Sequence, residues 1–214
     1  MAKFYYNRYN KWSVLRSNWR ILLLFSFHML YIFCDKRLFN LEKANYMIKI
    51  VFTGPECSGK TTFSQLIAKK YSAPLVQEYA REYLNNLKHP YGYKDLLQIA
   101  KGQLQQEKLH QKKANNLLIC DTNLQVIKIW SKLKFKKCDP FILNNQDLNA
   151  YYILCYPDIK WEYDPLRENP NDRTKILQEY QQELIAQKQK FITLKGSYQD
   201  RLESLTSKID KMIE

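Results

Sequence analysis

The stretch Gly54–Thr62, GPECSGKTT, decides the fold, and it follows directly on the apolar run IKIVFT at 48–53. Gly54 and Gly59 bracket Pro55, Glu56, Cys57 and Ser58, and Lys60, Thr61 and Thr62 come next. That is the spacing of a phosphate-binding loop. Backbone N–H groups in such a loop, with the N-terminus of the helix behind it, form a concave anion site. Lys60 is expected to neutralise the β- and γ-phosphates of a bound nucleotide, and Thr61 to hold Mg²⁺. Cys57 fits as a small residue or as an oxidisable thiol. The loop speaks for nucleotide binding and is silent about the reaction.

Working outward, strand and helix signals alternate. IKIVFT reads as a buried strand and 60–71 as the helix after the loop. APLVQ (73–77) reads as a second strand, 78–87 and 93–114 as helices, and NLLICD (116–121) as a third strand. A helix over 122–133, a strand AYYILC (150–155), a helix to about 190, a strand FITLK (191–195) and a last helix complete the chain. Such alternation implies a parallel sheet covered on both faces, with ligands at the carboxyl ends of the strands. The expected class is α/β: a P-loop NTPase, a three-layer sandwich with a parallel sheet and a small lid.

Three further groups of residues carry chemistry. Asp121 closes the third strand, where it can bind Mg²⁺ directly or through water; it or Thr122 could instead cap the next helix. Glu78 ends the second strand with Arg81 one turn on, so its carboxylate can take the proton of an acceptor hydroxyl while Arg81 holds it or a substrate oxygen. Which of Glu78 and Asp121 is the base is left open by the sequence. The segment 156–173 carries three prolines, Pro157, Pro165 and Pro170, that break regular structure. It reads as a lid, with Arg167 and Arg173 offered to the transferring phosphoryl group and Trp161 as a platform for an aromatic ring. His28, His89 and His110 form no metal-ligand spacing.

Composition sets the bounds. The 214 residues carry a net charge of +13, with 45% hydrophobic and 26% charged residues, as in ordinary soluble domains. Residues 1–46 hold eight Lys/Arg against two Asp/Glu, and the remaining basic residues are scattered rather than striped, so nucleic acid is not an expected partner. Five cysteines without a CxxC pair suggest reduced thiols and a cytoplasmic protein. The apolar run 21–34 falls short of the roughly 20 residues of a membrane span. Residues 1–46 read as a basic, partly hydrophobic extension of the 47–214 domain. It is a translated segment upstream of a true start at Met47, a membrane-surface tether, or a docked element. Oligomeric state is not legible.

In order along the chain, GPECSGKTT, PLVQEYAREYL (74–84), DLLQIAKGQ (95–103), ICDTNLQVIKIW (119–130) and CYPDIKWEYDPLRENP (155–170) resemble the NadR-type ribosylnicotinamide kinase domain. This is a P-loop ATPase/kinase family, the likeness covers most of 47–205, and it implies a nucleoside-kinase-like architecture. It implies ATP- and Mg²⁺-dependent phosphorylation of the 5′-hydroxyl of nicotinamide riboside, giving nicotinamide mononucleotide for NAD synthesis. The residues themselves leave open a kinase of another nucleoside, nucleotide or small molecule, or a non-catalytic ATP-binding regulatory module. Members of that type also carry a mononucleotide adenylyltransferase, but no His-x-Gly-His motif occurs in this sequence. A second acidic residue is expected at position 123, where this chain has Asn123.

Overall fold

The structure, a computed structural model, describes residues 47–214; the three readings of residues 1–46 lie outside the described residues. Five strands, β1 (Ile48–Thr53), β2 (Leu75–Val76), β3 (Leu117–Asp121), β4 (Tyr151–Cys155) and β5 (Lys190–Leu194), form one sheet in the order β2-β3-β1-β4-β5. Every pairing is parallel, with Phe52 opposite Asp121 and Thr53 opposite Leu154. All strands therefore end on one edge, and β1 has partners on both sides there.

The helices are α1 (Lys60–Lys70), α2 (Tyr79–Asn86), α3 (Tyr93–Gln111), α4 (Leu124–Phe135), α5 (Pro140–Asn144), α6 (Arg173–Ala186) and α7 (Tyr198–Ile213). The two-residue period of a strand sends alternate side chains to opposite faces. Ile50 and Phe52 of β1, with Leu117 and Ile119 of β3, pack against Phe63 and Ile67 of α1 and Leu205 and Ile209 of α7. Val51, Leu118 and Cys120 face the other way, onto Val126 and Ile129 of α4 and Leu177, Tyr180 and Leu184 of α6. These are the three layers. The alternation also puts Asp121 on the α1 face, two residues beyond Ile119. A third cluster, Ala80, Leu96, Ile99, Leu124 and Ile142, joins α2 to α5 beside the sheet.

Among the differences from the sequence reading, three have a local reason. β2 is only two residues long and starts at Leu75 rather than Ala73, since Pro74 has no N–H to pair. α4 starts at Leu124 rather than at Thr122: Asn123 is the cap, its Oδ1 accepting from the N–H of Gln125 at 3.0 Å. Neither Asp121 nor Thr122 caps this helix. The short α5 was not anticipated, although Asp139 accepts from the N–H of Phe141 at 2.8 Å and Pro140 takes the first helical position.

Candidate active site

The phosphate loop leaves β1 at Thr53 and enters α1 at Lys60. Gly54 sits at φ 129°, and a Cβ there would lie 2.7 Å from the backbone oxygen of Cys155, so β4 can run beside the loop only if this residue is glycine. Gly59 caps α1 at φ 89°. Cys57 also has positive φ, 51°. The carbonyl oxygen of Pro55 accepts from Ser58 Oγ at 2.8 Å and from Lys60 Nζ at 2.7 Å, closing the loop on itself. Thr61 and Thr62 are exposed at its rim.

A cleft of about 270 Å³ opens over this loop. Residues 54–62 form its floor, Glu78 and Arg81 one side, and Glu162, Arg167 and Asn169 the roof. The rest of the lining is apolar and aromatic and includes Leu84, Val126, Trp130, Leu133, Ile176 and Tyr180. Tyr91 stacks on Trp130 with ring centroids 5.9 Å apart and stiffens that wall from behind. Trp161 is not part of the cleft wall. Its ring lies beside two guanidinium groups, 5.9 Å from Arg167 and 5.6 Å from Arg173.

Glu78 is half-buried at the N-terminus of α2. Burial raises the pKa of its carboxyl, the nearby Asp121 charge adds to the rise, and the Lys60 and Arg81 cations oppose it. Asp121 is 4% exposed. Burial raises its pKa too, against the Thr61 hydroxyl and the Lys60 and Arg81 charges. Its Oδ1 has no hydrogen-bond partner. An orphaned buried carboxylate oxygen beside a threonine hydroxyl is a donor set that suits a hard cation such as Mg²⁺. Among the described residues no cluster of three or more His, Cys, Asp or Glu is built to hold a metal, so most ligands of such an ion would come from the nucleotide and water. Asn123, where a second acid was expected, is buried and donates to the Tyr152 hydroxyl at 2.9 Å. Between it and Asp121, Thr122 holds φ 72°, a costly conformation for a β-branched residue at the turn out of β3.

The lid, residues 156–172, has no regular structure and is held from several sides. Arg81 pairs with Asp164 at 2.9 Å. Arg173, the first residue of α6, donates to the carbonyls of Cys57 at 3.1 Å and Ile159 at 2.9 Å, tying the root of the lid to the loop. Sequence reasoning missed Arg201. It is 1% exposed, on α7, and donates to the carbonyl oxygens of Ser58 at 2.9 Å, Tyr156 at 2.9 Å and Gly196 at 3.1 Å, and pairs with Asp158. A signal was available: Arg201 takes the place of an apolar residue in the buried stripe continued by Leu205 and Ile209. The reading also missed Trp130 and Tyr180, which look like ordinary core residues until the cleft is seen.

A strand–glycine loop–helix at the carboxyl edge of a parallel sheet, with an acid ending the neighbouring strand, defines a P-loop nucleotide-binding protein. Residues 49–201 match the model of the AAA domain family, and the chain belongs to that family. No curated protein matches the sequence. Among solved structures, the NadR protein in complex with NR is similar, with TM-score 0.58 and 21% identity over 72% of this chain and 47% of that one. The NadR protein in complex with NAD and AMP-PNP gives 0.57 and 19% over 72% and 45%. A deoxyadenosine kinase from M. mycoides with products dCMP and a flexible dCDP bound gives 0.57 and 17% over 77% of this chain and all of that one. At these identities the likeness is one of fold, that of the P-loop nucleoside kinases. The chain spans about half the length of the NadR chains it matches. Among the described residues no helix is long and apolar enough to cross a membrane.

Proposed function

We propose that the protein transfers the γ-phosphoryl group of ATP to the 5′-hydroxyl of nicotinamide riboside, giving ADP and nicotinamide mononucleotide. One observation carries the reading: Lys60 and Glu78 line a single cleft together with the aromatic side chains of Trp130 and Tyr180. A nucleotide seated on the loop and a ring held against the aromatic wall would meet at Glu78. The motif resemblance supplies the identity of the ring, and the NadR protein crystallised with NR supports it.

In this reading the acceptor oxygen attacks the γ-phosphorus, the bond to the ADP oxygen breaks, and Glu78 takes the hydroxyl proton. Its place on the cleft wall favours it over Asp121, which the wall does not include. Burial makes Glu78 a stronger base than an exposed carboxylate, which suits the task. Lys60 and the loop amides hold the β- and γ-phosphates, with Gly54, Pro55, Glu56, Cys57, Ser58, Gly59 and Thr62 forming the seat. Thr61 and Asp121 would hold Mg²⁺, which would neutralise negative charge on the phosphates when bound. Arg81 orients the acceptor side, and Arg167 faces the transferring group from the roof.

A kinase of another nucleoside is the second reading, since an apolar aromatic wall accepts many rings and a deoxyadenosine kinase shares the fold. The test is an acceptor screen of the purified full chain with ATP·Mg²⁺. Nicotinamide riboside should give the highest kcat/KM. Preference for another nucleoside by tenfold or more selects the second reading, and no phosphorylated acceptor at all contradicts both.

A further inference from the structure

Glu56 is the one acidic residue inside the GPECSGKTT loop. A carboxylate there opposes the anion that the loop is built to hold, so its presence calls for a compensating role. Its two oxygens are spent on the lid: Oε1 accepts the backbone N–H of Glu168 at 3.1 Å, and Oε2 that of Asn169 at 3.0 Å. Hydrogen bonds from N–H groups to an ionised carboxylate are stronger than those between neutral groups. The residue immediately before this gripped pair is Arg167, on the roof of the cleft.

We propose that Glu56 is a positioning residue that acts through Arg167, fixing the lid backbone so that the guanidinium stands over the phosphate loop. The proposal rests on the kinase reading only for what Arg167 then does. Other contacts secure the same stretch: the Arg167 guanidinium donates to the carbonyl of Glu162 and lies 5.9 Å from the Trp161 ring. The Arg167 N–H donates to the carbonyl of Asp164 at 2.9 Å, and Asp164 is itself paired with Arg81. The Glu168 carboxylate accepts from the Tyr91 hydroxyl and from Lys134 Nζ, each at 2.9 Å. Those contacts lie within the lid or on the acceptor wall, and Cys57 Sγ, Arg173 and Arg201 tie the loop to the lid at 156–160; at 168–169, next to Arg167, it is Glu56 that ties the lid backbone to the nucleotide seat. An arginine ordered before the reaction costs no reorganisation during it. A long, free side chain on an unanchored loop would have to be ordered each time.

The test has two arms. Amide hydrogen exchange of the ligand-free full chain reads the grip directly, without any substrate. In Glu56→Ala the amides of Glu168 and Asn169 should exchange about tenfold faster or more, while those of β1 and β3 keep their protection. Glu56→Gln, which keeps one acceptor oxygen, should restore protection to one of the two amides. Unchanged exchange at both positions overturns the grip, and so does a loss of protection spread through the sheet, which would mark a general structural role. The kinetic arm is a double-mutant cycle on the activity of the full chain. Glu56→Ala should lower kcat about ten- to a hundredfold, with the KM for ATP within about twofold, and should cost nothing further in an Arg167→Ala background. Independent losses that multiply overturn the action through Arg167. If wild type transfers no phosphoryl group, the kinase reading fails, and the exchange arm alone upholds or overturns the grip.

Discussion

The Nζ of Lys60 donates a 2.7 Å hydrogen bond to the carbonyl oxygen of Pro55 in its own loop. The ammonium is therefore folded over the floor of the cleft, within reach of any phosphate seated there. Lys60→Ala removes that charge from a half-buried side chain that takes no part in the three core clusters. It should abolish turnover and weaken ATP binding, with the circular dichroism spectrum and melting temperature close to wild type. Turnover at the wild-type rate would mean that the reaction occurs elsewhere.

Glu78 and Asp121 should separate by their metal dependence. A general base contributes roughly a hundred- to ten-thousandfold to the rate. Glu78→Gln should lose about that much at a nearly constant Mg²⁺ requirement. Asp121→Asn should instead raise the Mg²⁺ concentration at half-maximal rate. Superimposable Mg²⁺ titrations of wild type and Asp121→Asn would remove Asp121 from the metal side of the site.

Both carboxyls have pKa values raised by burial, and the sign of that shift sets two pH dependences. The folded state holds these protons more tightly than the unfolded state, so each group costs stability as pH rises through its folded pKa. Asp121→Asn removes that cost. Its melting temperature should exceed that of wild type near neutral pH, and the gain should vanish below about pH 4, where Asp is protonated in both states. A lower melting temperature at neutral pH would show that the ionised carboxylate is stabilising. The acidic limb of the pH–rate profile should likewise lie above the ordinary carboxylate range, because Glu78 must be ionised to accept a proton.

Much of this site is written in local sequence and the rest in packing. The phosphate loop and the position of Asp121 are legible because each depends on a few adjacent residues: two glycines, a lysine, and an acid at the end of an apolar strand. The parallel sheet follows from the alternation of elements. Its strand order does not, since β1 lies between β3 and β4 through contacts far apart in the chain. Trp130 and Tyr180 carried no distinguishing local signal, because a core aromatic and a cleft wall have the same neighbours in sequence. Asn123 shows the converse: a departure from an expected acid is explained once its cap to Gln125 and its bond to Tyr152 are seen.

The two tryptophans of the site should therefore differ. Trp130 lines the cleft, while Trp161 lies beside Arg167 and Arg173. A cationic nicotinamide ring on an aromatic face gains about 0.5–2 kcal/mol, which is roughly two- to thirtyfold in affinity. Trp130→Ala should raise the KM for the riboside by about that factor. Trp161→Ala should act mainly on kcat, through the arginines it supports. Steady-state kinetics with the riboside varied at saturating ATP decides between them, and a larger KM effect from Trp161→Ala would return the ring platform to the lid.

The most direct measurement is identification of the product. Purified full-length protein is incubated with ATP·Mg²⁺ and nicotinamide riboside, alongside Lys60→Ala, and the mixture is resolved by phosphorus NMR. Wild type should give ADP and nicotinamide mononucleotide in equal amounts, with neither formed by the variant. ADP and inorganic phosphate without the mononucleotide, or equal mononucleotide from wild type and Lys60→Ala, would contradict phosphoryl transfer to the riboside at this cleft.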